Sequence, residues 1–186
     1  MKAVVLAGGQ EFGQSPLSRQ IPRALWPMVD RPIIEHVLTL LRKAGVGQMA
    51  ISANGRTHTI ATKLGYNPSP DISIHYSEDA MPRGAAGCIK DCQNWLGNER
   101  FIVVHGASIL LDLDVQHLLD EHEKTGAAMT VAALPDESAR DSALNAHASR
   151  LDGAGLESLR PAGLYICEPS VLQYIKPTGY QDMEIN

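Results

Sequence analysis

The sequence predicts an α/β protein built on a doubly wound, mostly parallel sheet. Three observations carry that expectation. Short apolar runs of four to six residues recur along the chain, as buried strands require. Stretches with helical periodicity stand between most of them, which calls for crossover connections and hence parallel pairing. The first run, Lys2-Ala3-Val4-Val5-Leu6, flows into Gly8-Gly9, the pattern of a strand that ends at a ligand-facing loop.

The elements follow in order. Residues 2–6 form the first strand. Pro32 opens a helix whose apolar positions are Ile33, Ile34, Val37, Leu38, Leu41 and Ala44, with Lys43 in the last turn and Gly45 as its stop. Residues 49–53 read as a strand, 57–64 as a short helix stopped by Gly65, and 72–76 as an alternating strand. One helix is expected over 85–96 and a buried strand over 101–104. Asp114 suits the N-cap of a helix through Lys124 that Gly126 terminates. Residues 128–133 and 164–167 are further strands, Leu151-Asp152-Gly153-Ala154-Gly155-Leu156 resembles a hairpin turn, and 170–175 is expected to be a last helix.

Composition narrows the function classes. The 186 residues are 44% hydrophobic and 20% charged, sufficient for a packed core without metal or disulfide staples. Sixteen basic against twenty-one acidic residues leave a net charge of -5, so no nucleic-acid partner is expected. No apolar run approaches the ~18 residues that cross a bilayer, and no membrane partner is expected. Three cysteines argue against a secreted disulfide framework, and the expected location is cytoplasmic.

The loop after the first strand is the natural phosphate site of such a sheet. It lacks the G-x-G-x-x-G of a dinucleotide fingerprint. Gly8 to Ser15 fits a phosphate-binding G-x-x-x-x-G-K-[ST] loop only with Gln14 in place of the lysine, and Pro16, Pro22, Pro27 and Pro32 punctuate the stretch where a helix would have to begin. The paired glycines still permit backbone N–H groups to approach an anion closely. The plainer alternative is a tight turn.

The proline spacing points elsewhere. Leu6-Ala7-Gly8-Gly9, then Pro16-Leu17-Ser18, Pro22-Arg23, Pro27-Met28 and Arg31-Pro32 before a helix, resembles the opening of the sugar-1-phosphate nucleotidylyltransferases, the NDP-sugar pyrophosphorylases. Pro82-Arg83-Gly84-Ala85-Ala86-Gly87 is similar to that family's LGTAGALK segment, and Phe101-Ile102-Val103-Val104-His105-Gly106-Ala107 to its FLVVNGD strand end. His122 with Gly126-Ala127-Ala128-Met129-Thr130, and Ala162-Gly163-Leu164-Tyr165-Ile166, continue the likeness in the same order. The resemblance implies a Rossmann-like nucleotidyltransferase fold over residues 1–186 as a single domain, lacking the C-terminal part of the family's domain. It implies nucleotide contacts at Leu6, Ala7, Gly8, Gly9 and Gly84.

The family joins a sugar 1-phosphate to a nucleoside triphosphate and releases pyrophosphate, chemistry that rests on positioning and charge neutralisation. Laid ungapped on this chain, the family's GTR tripeptide falls on Glu11, Phe12 and Gly13, so its arginine is missing. Arg23 takes the place of the lysine in the PKP motif and is the catalytic residue carried over, with a planar fork where the family has a compact ammonium. Ala107 stands where the metal-binding aspartate should be, and only Leu159-Arg160-Pro161 remain where the EKP segment is expected. Arg19 and Arg23 are the cations able to substitute for the lost arginine. Asp112 and Asp114 are the carboxylates nearest Ala107, but both match ordinary helix-entry residues, so no metal ligand is assigned. Loss of a metal or charge clamp removes several kcal/mol of transition-state stabilisation, and two such losses leave a rate roughly four to six decades down.

The expected function is therefore a nucleotidyltransferase-like domain that binds a nucleoside triphosphate or a sugar phosphate with a degraded catalytic apparatus, in a regulatory or scaffolding role. Its expected protein partner is another copy or a partner subunit. The alternative is an active, atypical NDP-sugar pyrophosphorylase that transfers a nucleotidyl group from a triphosphate to a sugar 1-phosphate with Mg²⁺. Other constellations carry less. His117 and His122 lie about 140° apart on a helix and do not converge on a metal. Cys88 and Cys92 share a helix face but read as buried thiols, and Trp26 and Trp95 as packing residues.

Overall fold

The computed structural model describes residues 1–8, 21–53, 56–77, 83–108, 110, 113–135 and 159–183. The anticipated hairpin at 151–156 lies outside them. A six-stranded sheet in the order β5-β4-β1-β6-β8-β7 organises the chain: β1 is Lys2–Leu6, β4 Gln48–Ser52, β5 Ser73–Ser77, β6 Phe101–His105, β7 Met129–Pro135 and β8 Leu159–Cys167. The first four run parallel, whereas β8 is antiparallel to both β6 and β7. The mostly parallel sheet expected from the sequence is thus present.

Helices cover both faces. On one face, α1 (Ile33–Lys43), α2 (Thr57–Leu64) and α5 (Val115–Thr125) bury Ile34, Leu41, Ile60 and Leu119 against Ala3, Val5, Ile51, Ile102 and Val104. On the other, α3 (Gly84–Asp91) and α4 (Gln93–Leu96) set Cys88, Ile89, Cys92 and Leu96 against Val4, Leu6, Phe101, Val103 and Tyr165. β1 lies at the centre, with Ala3, Val4 and Val5 wholly buried. A strand enclosed on both faces has no use for polar alternation, which explains its continuous apolar run.

Local chemistry sets the boundaries. Pro32 precedes α1, and the chain leaves it through Ala44 into Gly45 at φ 79°. The Asp114 carboxylate accepts from the His117 backbone N–H at 3.0 Å, and Gly126 closes α5 in the left-handed region. Two expectations need correction. The single helix at 85–96 is divided at Cys92, whose N–H is shared between the carbonyls of Cys88 and Ile89, and this tightens the turn before α4 begins. The last helix is a 3₁₀ helix over Pro169–Tyr174, since Pro169 leaves only a short course before extended Ile175. The proline-rich stretch also holds structure that its spacing did not reveal. A 3₁₀ turn at Arg23–Leu25 leads into a two-residue hairpin, β2 (Pro27–Met28) with β3 (Arg31–Pro32). Its tip residue Val29 has φ 62° and is almost fully exposed.

Candidate nucleotide site

Strand register aligns the carboxyl ends of the parallel strands. Ser77, Ser52, Leu6 and His105 stand side by side in one row, the edge at which sheets of this kind bind ligands. Leu6 is buried, and its carbonyl accepts from the Gly106 N–H at 2.9 Å. The N–H groups of Ala7 and Gly8 both turn to the Ser52 carbonyl, at 2.8 and 3.2 Å. These two donors tie the end of β1 to β4, so the contacts they leave for a ligand are carbonyls and close approach of the backbone. Gly9 lies outside the described residues, as do Glu11, Gly13 and Arg19.

Gly106 is required where it stands. A side chain there would meet Val5 at 3.0 Å and Ala7 at 3.2 Å. The β6 end therefore presses against the first loop, and the next residue, Ala107, is half-buried at the same edge. Across from it Gly163 of β8, at φ 85°, passes so close that an added Cβ would lie 2.5 Å from the Ser108 hydroxyl and 3.4 Å from His105.

His105 is the residue at this edge that sequence reasoning passed over. Its ring lies 6.0 Å from that of Tyr165, and its buried Nε2 has no hydrogen-bond partner among the described residues. Burial pushes the imidazole below its ordinary pKa, opposed by the negative charge of Asp182. The neutral ring thus presents one unsatisfied nitrogen, a feature rare in buried positions and frequent at ligand sites. The only sequence signal was its position immediately before the Gly106-Ala107 turn.

Gly84 begins α3 at φ 74°. Directly over its Cα lies the chain segment at 176–183, with the Gln181 carbonyl oxygen 2.1 Å from where a Cβ would be. Gln181 donates its N–H to the Arg83 carbonyl at 2.7 Å, and its own carbonyl accepts from the Gly87 N–H at 3.4 Å. A donor of the first turn of α3 is therefore occupied by the protein itself, and this helix end is not an open phosphate cradle. Arg83 pairs with Asp91 and also donates to the Lys176 carbonyl.

Arg23 sits exposed in its 3₁₀ turn between buried Pro22 and Ala24, with its carbonyl accepting from Trp26. Trp26 in turn accepts from the first N–H of α1, so the turn is docked on that helix. Asp114 is committed to capping α5, and Asp112 lies outside the described residues. Among the described residues no three His, Cys, Asp or Glu side chains converge. With alanine at 107, the described residues of this edge do not offer the oxygen donor set that Mg²⁺ requires.

Other singled-out residues are structural. Trp95 stacks on His75 at 5.7 Å and lies under the Lys2 ammonium at 5.1 Å. Trp26 donates its indole N–H to the Ile21 carbonyl. Cys88, Cys92 and Cys167 are buried thiols, and burial pushes that of Cys167 up to about 12. No helix among the described residues is long and apolar enough to cross a membrane.

Known proteins resemble this chain in sequence and in fold. Mannose-1-phosphate guanyltransferase of Debaryomyces hansenii is 28% identical over 195 residues, covering 97% of this chain and 54% of that protein. D-glycero-alpha-D-manno-heptose 1-phosphate guanylyltransferase of Aneurinibacillus thermoaerophilus is 27% identical over 135 residues, covering 73% and 58% respectively. The chain spans about half the length of the curated relatives it matches. The crystal structure of HddC from Yersinia pseudotuberculosis shares the fold, with a TM-score of 0.76 at 18% identity over 100% of this chain and 84% of that one. The family model described as nucleotidyl transferase matches residues 2–143, which take in β1, the β6 end with Ala107 and the start of α3, and the chain accordingly belongs to the nucleotidyl transferase family.

Proposed function

We propose that residues 1–186 act as one nucleotidyltransferase-like domain that binds a nucleoside triphosphate or a sugar phosphate without efficient nucleotidyl transfer. The observation that carries this reading is Ala107 at the end of β6, at an edge where the described residues gather no set of carboxylates. Residues 6–9 and Gly84 supply the nucleotide contacts, and Arg23 supplies the charge nearest the triphosphate. Such a domain works by presenting a ligand-dependent surface to a second copy or a partner subunit, in a regulatory or scaffolding role. The cytoplasm, where nucleotides and sugar phosphates are available, is its compartment. Because the relatives named above are guanylyltransferases, GTP is the first nucleotide to test and mannose 1-phosphate the first sugar phosphate.

Likeness to the mannose-1-phosphate guanyltransferase over 97% of the chain favours the second reading, an active and atypical NDP-sugar pyrophosphorylase. Thermal-shift titration with GTP, UTP, dTTP and ATP, each with and without Mg²⁺, separates the two. Binding without metal-assisted catalysis predicts a rise in melting temperature that is as large in EDTA as in Mg²⁺. A rise that appears only with Mg²⁺ would restore the metal to the site and favour the active enzyme. No rise with any nucleotide or sugar phosphate would contradict both.

A further inference from the structure

The segment at 176–183 makes contacts that neither the family pattern nor the proposed binding role assigns. Gln181 is its centre. Its side-chain carbonyl accepts from the Lys176 N–H at 2.8 Å, while its amide donates back to the Lys176 carbonyl at 3.0 Å. The side chain thus closes residues 176–181 into a small loop. The main chain of the same residue then brackets the start of α3, donating to Arg83 and accepting from Gly87. The loop is fixed at both ends. Arg83 reaches back to the Lys176 carbonyl, and Met183 packs onto the apolar cluster under α3.

Position makes this more than a surface turn. The Gln181 carbonyl occupies the space that any side chain at residue 84 would need, and Gly84 has a backbone conformation that L side chains rarely adopt. The next residue, Asp182, is close enough to His105 and Tyr165 to influence both electrostatically. One short segment therefore touches the Gly84 turn directly and lies within electrostatic range of the His105 end of β6.

We propose that Gln181 is a positioning residue for the nucleotide site: it holds the Arg83–Gly84 turn in the conformation that presents Gly84 to a nucleoside. This rests on the reading that Gly84 belongs to that site. Gln181 acts through the turn and does not touch the nucleotide. On the same reading the phosphates go to the glycine loop from Gly9 onward and not to this turn, so Gln181 governs the nucleoside part of recognition.

The test uses the whole chain with Gln181→Ala and Gln181→Glu. Glutamate keeps the acceptor for the Lys176 N–H but faces the Lys176 carbonyl with a second acceptor. Affinities for GTP, UTP, dTTP and ATP, and for inorganic tripolyphosphate, are measured by calorimetry. Hydrogen exchange is followed in the peptide spanning 83–92. The expected results for Gln181→Ala are at least fivefold weaker binding of the preferred nucleotide, unchanged tripolyphosphate affinity and faster exchange at the start of α3. Gln181→Glu should fall between parent and alanine. Equal weakening for nucleotide and tripolyphosphate, or tighter nucleotide binding by Gln181→Ala, would overturn the assignment, the latter because the segment would then be a cap. Unchanged exchange in 83–92 would overturn the positioning role whatever the ligand. A parent chain that binds no triphosphate would instead overturn the nucleotide-site reading on which the proposal stands.

Discussion

The two ends of the central sheet are held by different chemistry. At the amino end of the parallel strands, charged side chains bolt the layers together. The Lys2 ammonium donates to the last turn of α4 at Trp95 and Leu96. Arg100 pairs with Glu168 at 2.6 Å and Glu123 at 2.7 Å, and buried His122 joins Thr130 to Glu168. At the carboxyl end the ties are mostly main chain: Ala7 and Gly8 to Ser52, Gly106 to Leu6, and Gln181 to Arg83. Glycines at 84, 106 and 163 permit close approach there, and among the described residues Nε2 of His105 is left without a partner. The charged network at the first end links strands to helices across the layers and specifies the fold. The other end is close-packed in backbone but incompletely satisfied, as ligand sites are. Ala107, where the resemblance expects an aspartate, stands at this second end, while the first keeps His122 and Thr130.

Breaking the charged network should give the largest effect. His122→Ala opens a cavity and strands the Thr130 hydroxyl and one bond of Glu168, so a loss of about 3 kcal/mol is expected in urea unfolding. A change below about 1 kcal/mol would mean that this end is not the fold's anchor. Next comes Gly84→Ala at the other end. Its Cβ has no room beneath Gln181, and the expected cost is about 2 kcal/mol, together with increased proteolysis at 176–183. Stability equal to the parent's would show that the segment yields freely.

Acid sharpens the comparison with a smaller effect. Hydrogen bonding to Arg100, with His122 contributing, holds the Glu168 carboxyl below its ordinary value. A depressed folded-state value stabilises the protein above the ordinary carboxylate range of ~4.3 and ceases to do so as pH falls through the lower folded value. Glu168→Gln should therefore cost about 1 kcal/mol or less at neutral pH and reduce the loss of stability between pH ~5 and ~3. Urea midpoints across that range would show the same pH slope in both proteins if the network is only decorative. The smallest effect should be a gain. Val29, a β-branched residue at positive φ in a two-residue turn that favours glycine, is strained, and Val29→Gly should stabilise by about 0.5–1 kcal/mol. A melting temperature below the parent's would contradict that account of the hairpin.

What the sequence made legible follows from the range of each interaction. Pro32, Gly45, Asp114 and Gly126 marked helix ends because capping acts within a few residues. The doubly enclosed strands announced themselves as apolar runs. The break at Cys92 was hidden because either side of it is equally helical in pattern. The hairpin at 27–32 was hidden because prolines spaced five apart read only as interruptions. At the site, the β1 and β6 ends were legible through motif order. His105 and Gln181 were not, since their neighbours Tyr165, Asp182 and Gly84 lie far along the chain and the ties of Gln181 to α3 are main-chain bonds that side-chain identity does not encode. The Arg100–Glu168–His122 network spans 68 residues and was invisible for the same reason.

The contrast between a preserved scaffold and an altered ligand edge comes to its most direct test in pyrophosphate release. The chain is incubated with GTP, mannose 1-phosphate and Mg²⁺, and then with UTP, dTTP or ATP and glucose 1-phosphate, beside an active guanylyltransferase as reference. The account predicts release at least about four decades below the reference under every pairing, while nucleotide binding persists. Mg²⁺-dependent release within about a hundredfold of the reference would show that the altered edge still performs the transfer, and would contradict the account.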